Sequence, residues 1–136
     1  MILADTDVLI DFLAGVEPAA GCVAEFIRMD QLQTSAINCF ELLSGAGEGK
    51  RSDRVRRLAA MLPVLPLDRN AAECAAVVRR ELERKGCPIG MGDSLIAGIA
   101  LANELPLLTR NRRHFERIEK LRLIDPTAPE SAPPPR

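Results

Sequence analysis

The stretch Ile2-Leu3-Ala4-Asp5-Thr6-Asp7-Val8-Leu9-Ile10-Asp11-Phe12-Leu13 changes its hydrophobic rhythm at Asp5. Before that residue, three apolar side chains run without a break and then stop, as in a short buried strand. After it, Val8-Leu9-Ile10 and Phe12-Leu13 recur at helical spacing, and Asp5-Thr6-Asp7 supplies the oxygen-bearing side chains that start helices. Strand, turn and helix therefore follow one another within thirteen residues.

Downstream, the same alternation repeats. Gly15 closes the first helix and Pro18 opens the next, which carries Val23, Phe26 and Ile27 at core spacing. Leu32 to Ser35 reads as a second strand and Ala36 to Leu43 as a helix, stopped by Gly45-Ala46-Gly47-Glu48-Gly49. Lys50 to Leu62 has a basic amphipathic pattern, and Val64-Leu65, between two prolines, is a short strand or an extended connector. Asp68 caps a long helix that Gly86 ends; Asp93 begins another, from Leu95 to Asn103. Leu107 to Thr109 and Leu121 to Ile124 supply the last strands. The pattern predicts one α/β domain over residues 1–126, a three-layer α/β/α sandwich on a mainly parallel sheet of four to five strands. The remaining residues, 127–136, are Pro-rich and expected to be disordered.

Composition narrows the function classes. In 136 residues, 47% are hydrophobic and 27% charged, ordinary values for a soluble globular domain. The formal net charge of -1 gives no global basic field, so any nucleic-acid contact has to use a local patch. Aromatic residues are 3% of the chain, without Trp or Tyr, which excludes an aromatic stacking platform for bases. Cys22, Cys39, Cys74 and Cys87 form no CxxC pair, against a structural zinc site, and are expected as small buried hydrophobes in a reducing cytoplasm. No secretory leader is expected, and no apolar stretch has the length of a membrane span.

In parallel sheets the working site lies at the carboxyl ends of the strands, beside a switch in strand order. Asp5 and Asp7 fall there; each also serves as an N-terminal helix residue, Asp5 as cap and Asp7 in the first turn. Glu41 borders an apolar stripe with no Lys or Arg at i±3 or i±4, so it needs a cation from elsewhere. Asp93 heads a helix with almost no polar side chain, Leu95-Ile96-Ala97-Gly98-Ile99-Ala100-Leu101-Ala102, and is either a cap or a carboxylate in a cleft. Thr109-Arg110-Asn111-Arg112-Arg113-His114 follows a strand; Asn111 offers a carbonyl oxygen and the arginines offer forks for phosphate, or form a solvated basic loop. His114, beside Phe115, is read as structural rather than as a base. Carboxylates of Asp5, Glu41 and Asp93 gathered in one cleft would repel, and hard oxygen ligands favour Mg²⁺ or Mn²⁺ to neutralise them. Such an ion can activate water against a phosphodiester.

Four stretches, ILADTDVLIDFL, TSAINCFELLSGA, GMGDSLIAGIAL and LLTRNRRHFERI, taken in order, resemble the PIN-domain family and within it the VapC-type toxins of bacterial toxin–antitoxin pairs. The resemblance covers Met1 to about Pro126. It implies a Mg²⁺-dependent endoribonuclease that arrests translation and growth, with Asp5, Glu41 and Asp93 as catalytic metal ligands. Asn111 stands where many relatives carry a fourth acid, and Thr6 and Thr109 match small hydroxyl residues lining the family's site. With Arg110 and Arg112, Thr109 is a candidate for contact with RNA. A homodimer is implied too, joined by a VapB-like antitoxin in a hetero-oligomer. Two other readings stand beside it. Asp5-Thr6-Asp7-Val8-Leu9 also fits the opening of haloacid-dehalogenase-like phosphatases, with Asp5 as nucleophile. A non-catalytic module of the same fold would bind RNA or protein without cleaving.

Overall fold

Short apolar runs, each ended by a capping or turn residue, alternate between strand and helix along the chain. The structure, a computed structural model, describes residues 1–127. Its elements are β1 (Ile2–Ala4), α1 (Thr6–Ala14), α2 (Ala19–Arg28), β2 (Leu32–Ser35), α3 (Ala36–Gly45) and α4 (Lys50–Met61). They continue with β3 (Val64–Leu65), α5 (Arg69–Arg84), α6 (Met91–Ala102), β4 (Leu107–Leu108), α7 (Arg112–Phe115) and β5 (Leu123–Ile124). The five strands lie in the order β3-β2-β1-β4-β5, and every neighbouring pair is parallel. The expected three-layer sandwich on a mainly parallel sheet is present, with five strands.

Connections explain that order. From β1 the chain moves outward through α1 and α2 to β2, then through α3 and α4 to β3. It then crosses back over β1 through α5 and α6 to start β4 on the other side. Right-handed crossovers running in opposite directions must lie on opposite faces of the sheet. The strand side chains divide accordingly. Ile2, Ala4 and Leu108 pack with Val8, Val23, Phe26 and Leu58 of the first helical layer. Leu3 and Leu107 point the other way, against Val78, Leu82, Ile96 and Ile99 of α5 and α6. Each large apolar side chain removed from water in these layers contributes about 1.5–3 kcal/mol before entropy is counted. The change of direction leaves a crevice at the carboxyl ends of β1 and β4, the switch point of the sheet.

Helix ends follow local chemistry. Asp5, Ser35 and Asp68 cap α1, α3 and α5 through side-chain oxygens, and Gly15, at φ 70°, closes α1 in a conformation that disfavours a Cβ. In the second layer α5 and α6 approach closely because Gly98 faces α5. A Cβ there would stand 2.5 Å from the Ala71 carbonyl oxygen and 2.6 Å from the Ala75 Cβ.

Several boundaries differ from the sequence expectation. Helix α6 begins at Met91, with Gly90 as its cap, so Asp93 lies inside the first turn rather than heading the helix. Pro18 sits at the cap position of α2 rather than inside it. Arg112 to Phe115, expected as a loop, winds into the short helix α7, because Phe115 is pulled into the second layer. The four cysteines are half-buried, not sunk in the core, and none is in a disulfide. No helix among the described residues is long and apolar enough to cross a membrane. The Pro-rich tail, apart from Thr127, lies outside the described residues.

Candidate active site

Asp5 leaves the carboxyl end of β1 and is 4% exposed. Its Oδ1 accepts from the Thr6 backbone N–H at 2.9 Å and from Asn38 Nδ2 at 3.1 Å, and its Oδ2 accepts from the Thr109 hydroxyl at 2.7 Å. Thr109 follows β4, so this last bond spans the switch point. Burial, and then the charge of Asp7, push the Asp5 carboxyl up to about 6 against the pull of the Thr109 and Thr6 bonds; Asp93 pushes the same way. The fold holds this carboxylate in place while opposing its charge.

Beside it, Asp7 in the first turn of α1 is also raised, by burial above all, and less so because the Arg110 and Val8 backbone N–H groups donate to it. Those bonds measure 2.9 Å and 2.7 Å. One turn on, Asp11 is buried and pairs with Arg110, whose Nε lies 2.5 Å from Oδ2. The Arg110 guanidinium, a candidate for RNA contact, is thus turned onto a carboxylate of its own protein.

Helix α3 brings the amide and the second acid. Ser35 caps it, accepting from the Asn38 N–H at 3.1 Å, and its own hydroxyl donates to Asn38 Oδ1 at 2.6 Å. That bond turns the fully buried Asn38 so that Nδ2 faces Asp5 Oδ1 and Thr6 Oγ1, the latter at 3.0 Å. Thr6 in turn donates to Glu41 Oε1 at 2.6 Å. The partner that Glu41 lacks on its own helix is therefore a hydroxyl of α1, and no ion pair to Glu41 is present among the described residues. The first turn of α6 closes the other side, since a Cβ at Gly92 would lie 3.6 Å from Glu41 Oε2.

Asp93 follows Gly92 in that turn, one quarter exposed, with Oδ2 at 2.8 Å from His114 Nδ1. Its repulsion on Asp5 ties it electrostatically to the crevice. Asn111 places its backbone N–H on Thr109 Oγ1 at 3.0 Å and is exposed, as are Arg112 and Arg113. Asp5, Glu41 and Asp93 thus come to one crevice, linked through Thr6, Asn38 and Gly92. Ser35, Asn38 and Asp11 were not singled out in the sequence. Asn38 lies three residues before Glu41, on a neighbouring position of the same helical face, and that spacing is the one signal by which the sequence offered it.

The donor set is carboxylate and hydroxyl oxygen, without His or Cys at the crevice floor, and it suits a hard divalent cation. An added positive charge would relieve the repulsion that Asp7 and Asp93 exert on Asp5. The side chains do not stand as a closed cage: among the described residues, no three of His, Cys, Asp and Glu are grouped closely enough to hold an ion as they lie. Asp5, Asp93 and Glu41 are the carboxylates at the crevice that could hold such an ion, Asp93 only on leaving His114.

Residues 2–121 match the PIN domain family. The tRNA(fMet)-specific endonuclease VapC of Salmonella typhimurium is 39% identical over 103 residues, which cover 73% of this chain and 78% of that protein. Ribonuclease VapC10 of Mycobacterium tuberculosis is 36% identical over 122 residues, 90% of this chain and 91% of that one. Among solved structures, DNA-bound VapBC from Salmonella typhimurium aligns with a TM-score of 0.80 at 31% identity, over 93% of this chain and 99% of that chain.

Proposed function

The chain belongs to the PIN-domain family, and from that premise we propose that it is the toxin of a VapBC-type toxin–antitoxin pair, an endoribonuclease that hydrolyses RNA phosphodiester bonds and so halts translation and growth. One observation supports this reading above the others. A buried, hydrogen-bonded Asp5 sits at the switch point with Asp7, Glu41 and Asp93 around it, in a fold that opposes the charge of Asp5 and Asp7. The phosphatase alternative falls with the family assignment.

Asp5, Asp93 and Glu41 are the residues suited to hold Mg²⁺ or Mn²⁺, which when bound lowers the pKa of a coordinated water and offsets charge on the phosphodiester. The chain's own groups prepare the site. Thr109 and Asn38 fix the two oxygens of Asp5, and Thr6 fixes one oxygen of Glu41. Support of this kind orients ligands before substrate arrives. Asn111 brings an amide where a fourth acid would bring charge, so the negative potential of the crevice comes from Asp5, Asp7, Glu41 and Asp93.

The same reading gives the protein a VapB-like antitoxin partner and a homodimeric state. A cavity of about 290 Å³ beside Glu41, lined by Ile10, Leu13, Leu42, Arg54 and Val55, supports an antitoxin segment docking there. Phe40 of the same helix is 69% exposed and offers further apolar surface.

Incubation of the purified protein with cellular RNA, with Mg²⁺, with Mn²⁺ or with EDTA, tests the activity. Fragments are expected with either ion and intact RNA with EDTA. Intact RNA under every condition would leave a non-catalytic binding module as the correct reading.

A further inference from the structure

Past Asp93 the crevice opens into a second hollow, of about 260 Å³, whose walls include Cys87, Gly90, Asp93, Arg113, His114 and Arg117. Three basic side chains and one carboxylate line it, and that carboxylate, held by His114, also repels Asp5. Several other arginines are already committed to a carboxylate. Arg28, Arg69 and Arg79 each pair with a glutamate on their own helix, and Arg110 is spent on Asp11. Among the described residues neither Arg113 nor Arg117 is in an ion pair. Arg117 Nη1 donates to Cys87 Sγ at 3.2 Å, which anchors the guanidinium at the hollow and leaves most of its N–H groups uncommitted. Two unpaired guanidinium groups lining one hollow repel each other, and an anion between them removes that cost.

We propose that this hollow is the subsite for an RNA backbone phosphate next to the one cleaved, gripped by Arg113 and Arg117 and backed by His114. The assignment rests on the ribonuclease reading and deepens it. Guanidinium forks match phosphate oxygens in pairs, and a strand whose scissile bond lies at Asp5 and Asp93 must run its neighbouring backbone past the Asp93 wall. The basic anchor is then Arg113 with Arg117, in place of Arg110.

The test compares wild type with Arg113→Ala/Arg117→Ala. Binding of a short labelled single-stranded RNA is followed by fluorescence anisotropy in EDTA across a salt series. Two lost phosphate contacts are expected to make the slope of log K against log salt shallower by about 1.4, at roughly 0.7 per contact on a single strand. Arg113→Lys/Arg117→Lys is expected to keep the slope, and Arg79→Ala on α5 to change nothing. If wild type cleaves RNA while the double alanine variant binds with the same affinity and slope, the subsite is overturned and the ribonuclease stands; an acidic protein partner would then be the occupant of the hollow. If wild type cleaves no RNA, the ribonuclease reading fails and takes the subsite with it.

Discussion

The crevice between β1 and β4 and the seam between α5 and α6 are built on opposite rules. The crevice buries Asp5, Asn38 and Thr109 beside half-buried Asp7, Glu41 and Asp93. The seam is Ala71, Ala75 and Gly98 at distances that leave no room for a methyl group. At the seam, packing is the whole content: every contact lowers the energy of the folded chain. Among the described residues every buried side-chain nitrogen and oxygen is partnered, yet the Asp5 carboxyl is still pushed up to about 6. Folding has placed carboxylates where burial disfavours their charge, which is how a functional site differs from a core.

That contrast fixes the order of expected effects. Asp5→Asn and Asp93→Asn are expected to lower RNA cleavage by about 100-fold or more, beyond the roughly 10–100-fold that loss of a supporting partner costs. Without divalent ion, Asp5→Asn is expected to be at least as stable to urea as wild type at neutral pH. The sign follows from the raised carboxyl. The unfolded chain loses the Asp5 proton near 3.8 and the folded chain near 6, so wild-type stability falls as pH rises through that interval, by up to about 3 kcal/mol. Added Mg²⁺ is expected to flatten the fall. A metal-free stability that rises with pH across the same interval would remove the charge burial from the crevice.

At the seam the expectation reverses. Gly98→Val drives a side chain into the Ala71 carbonyl oxygen and is expected to cost about 3 kcal/mol in urea unfolding, the upper part of the range for overpacking. Cleavage per folded molecule is expected to be unchanged. Asn38→Ala stands between the two regions. It strands the Ser35 hydroxyl and frees Asp5 and Thr6, and is expected to cost about 1–3 kcal/mol together with about 10–100-fold in cleavage. The smallest effect is at the rim. Arg110→Ala removes a half-exposed partner from Asp11 but keeps the backbone bond to Asp7, and is expected to cost about 1 kcal/mol or less.

The sequence made the alternation of strand and helix legible because short apolar runs and cap residues are local signals. Asp5, Glu41 and Asp93 stood out as acids at strand ends or beside apolar stripes with no neighbour to neutralise them. What it hid is non-local or silent. Glu41 was expected to need a cation; its partner is the Thr6 hydroxyl, 35 residues away and visible only once α1 and α3 are packed. Asn38 was hidden by its spacing from Ser35, which reads as an ordinary cap although the same side chain orients Asp5. The start of α6 was missed because its cap, Gly90, carries no side-chain oxygen. Four residues of α7 have no period to read, and Phe115 alone ties them to the core.

The central claim is that the carboxylates of Asp5, Glu41 and Asp93 form one divalent-ion site. Anomalous diffraction from a crystal soaked in Mn²⁺ tests it directly. The account predicts a manganese peak within bonding distance of the Asp5 and Asp93 oxygens, facing Glu41, with Asp93 turned off His114. A peak elsewhere on the surface, or an ordered crevice with Asp93 still on His114 at saturating Mn²⁺, would contradict it.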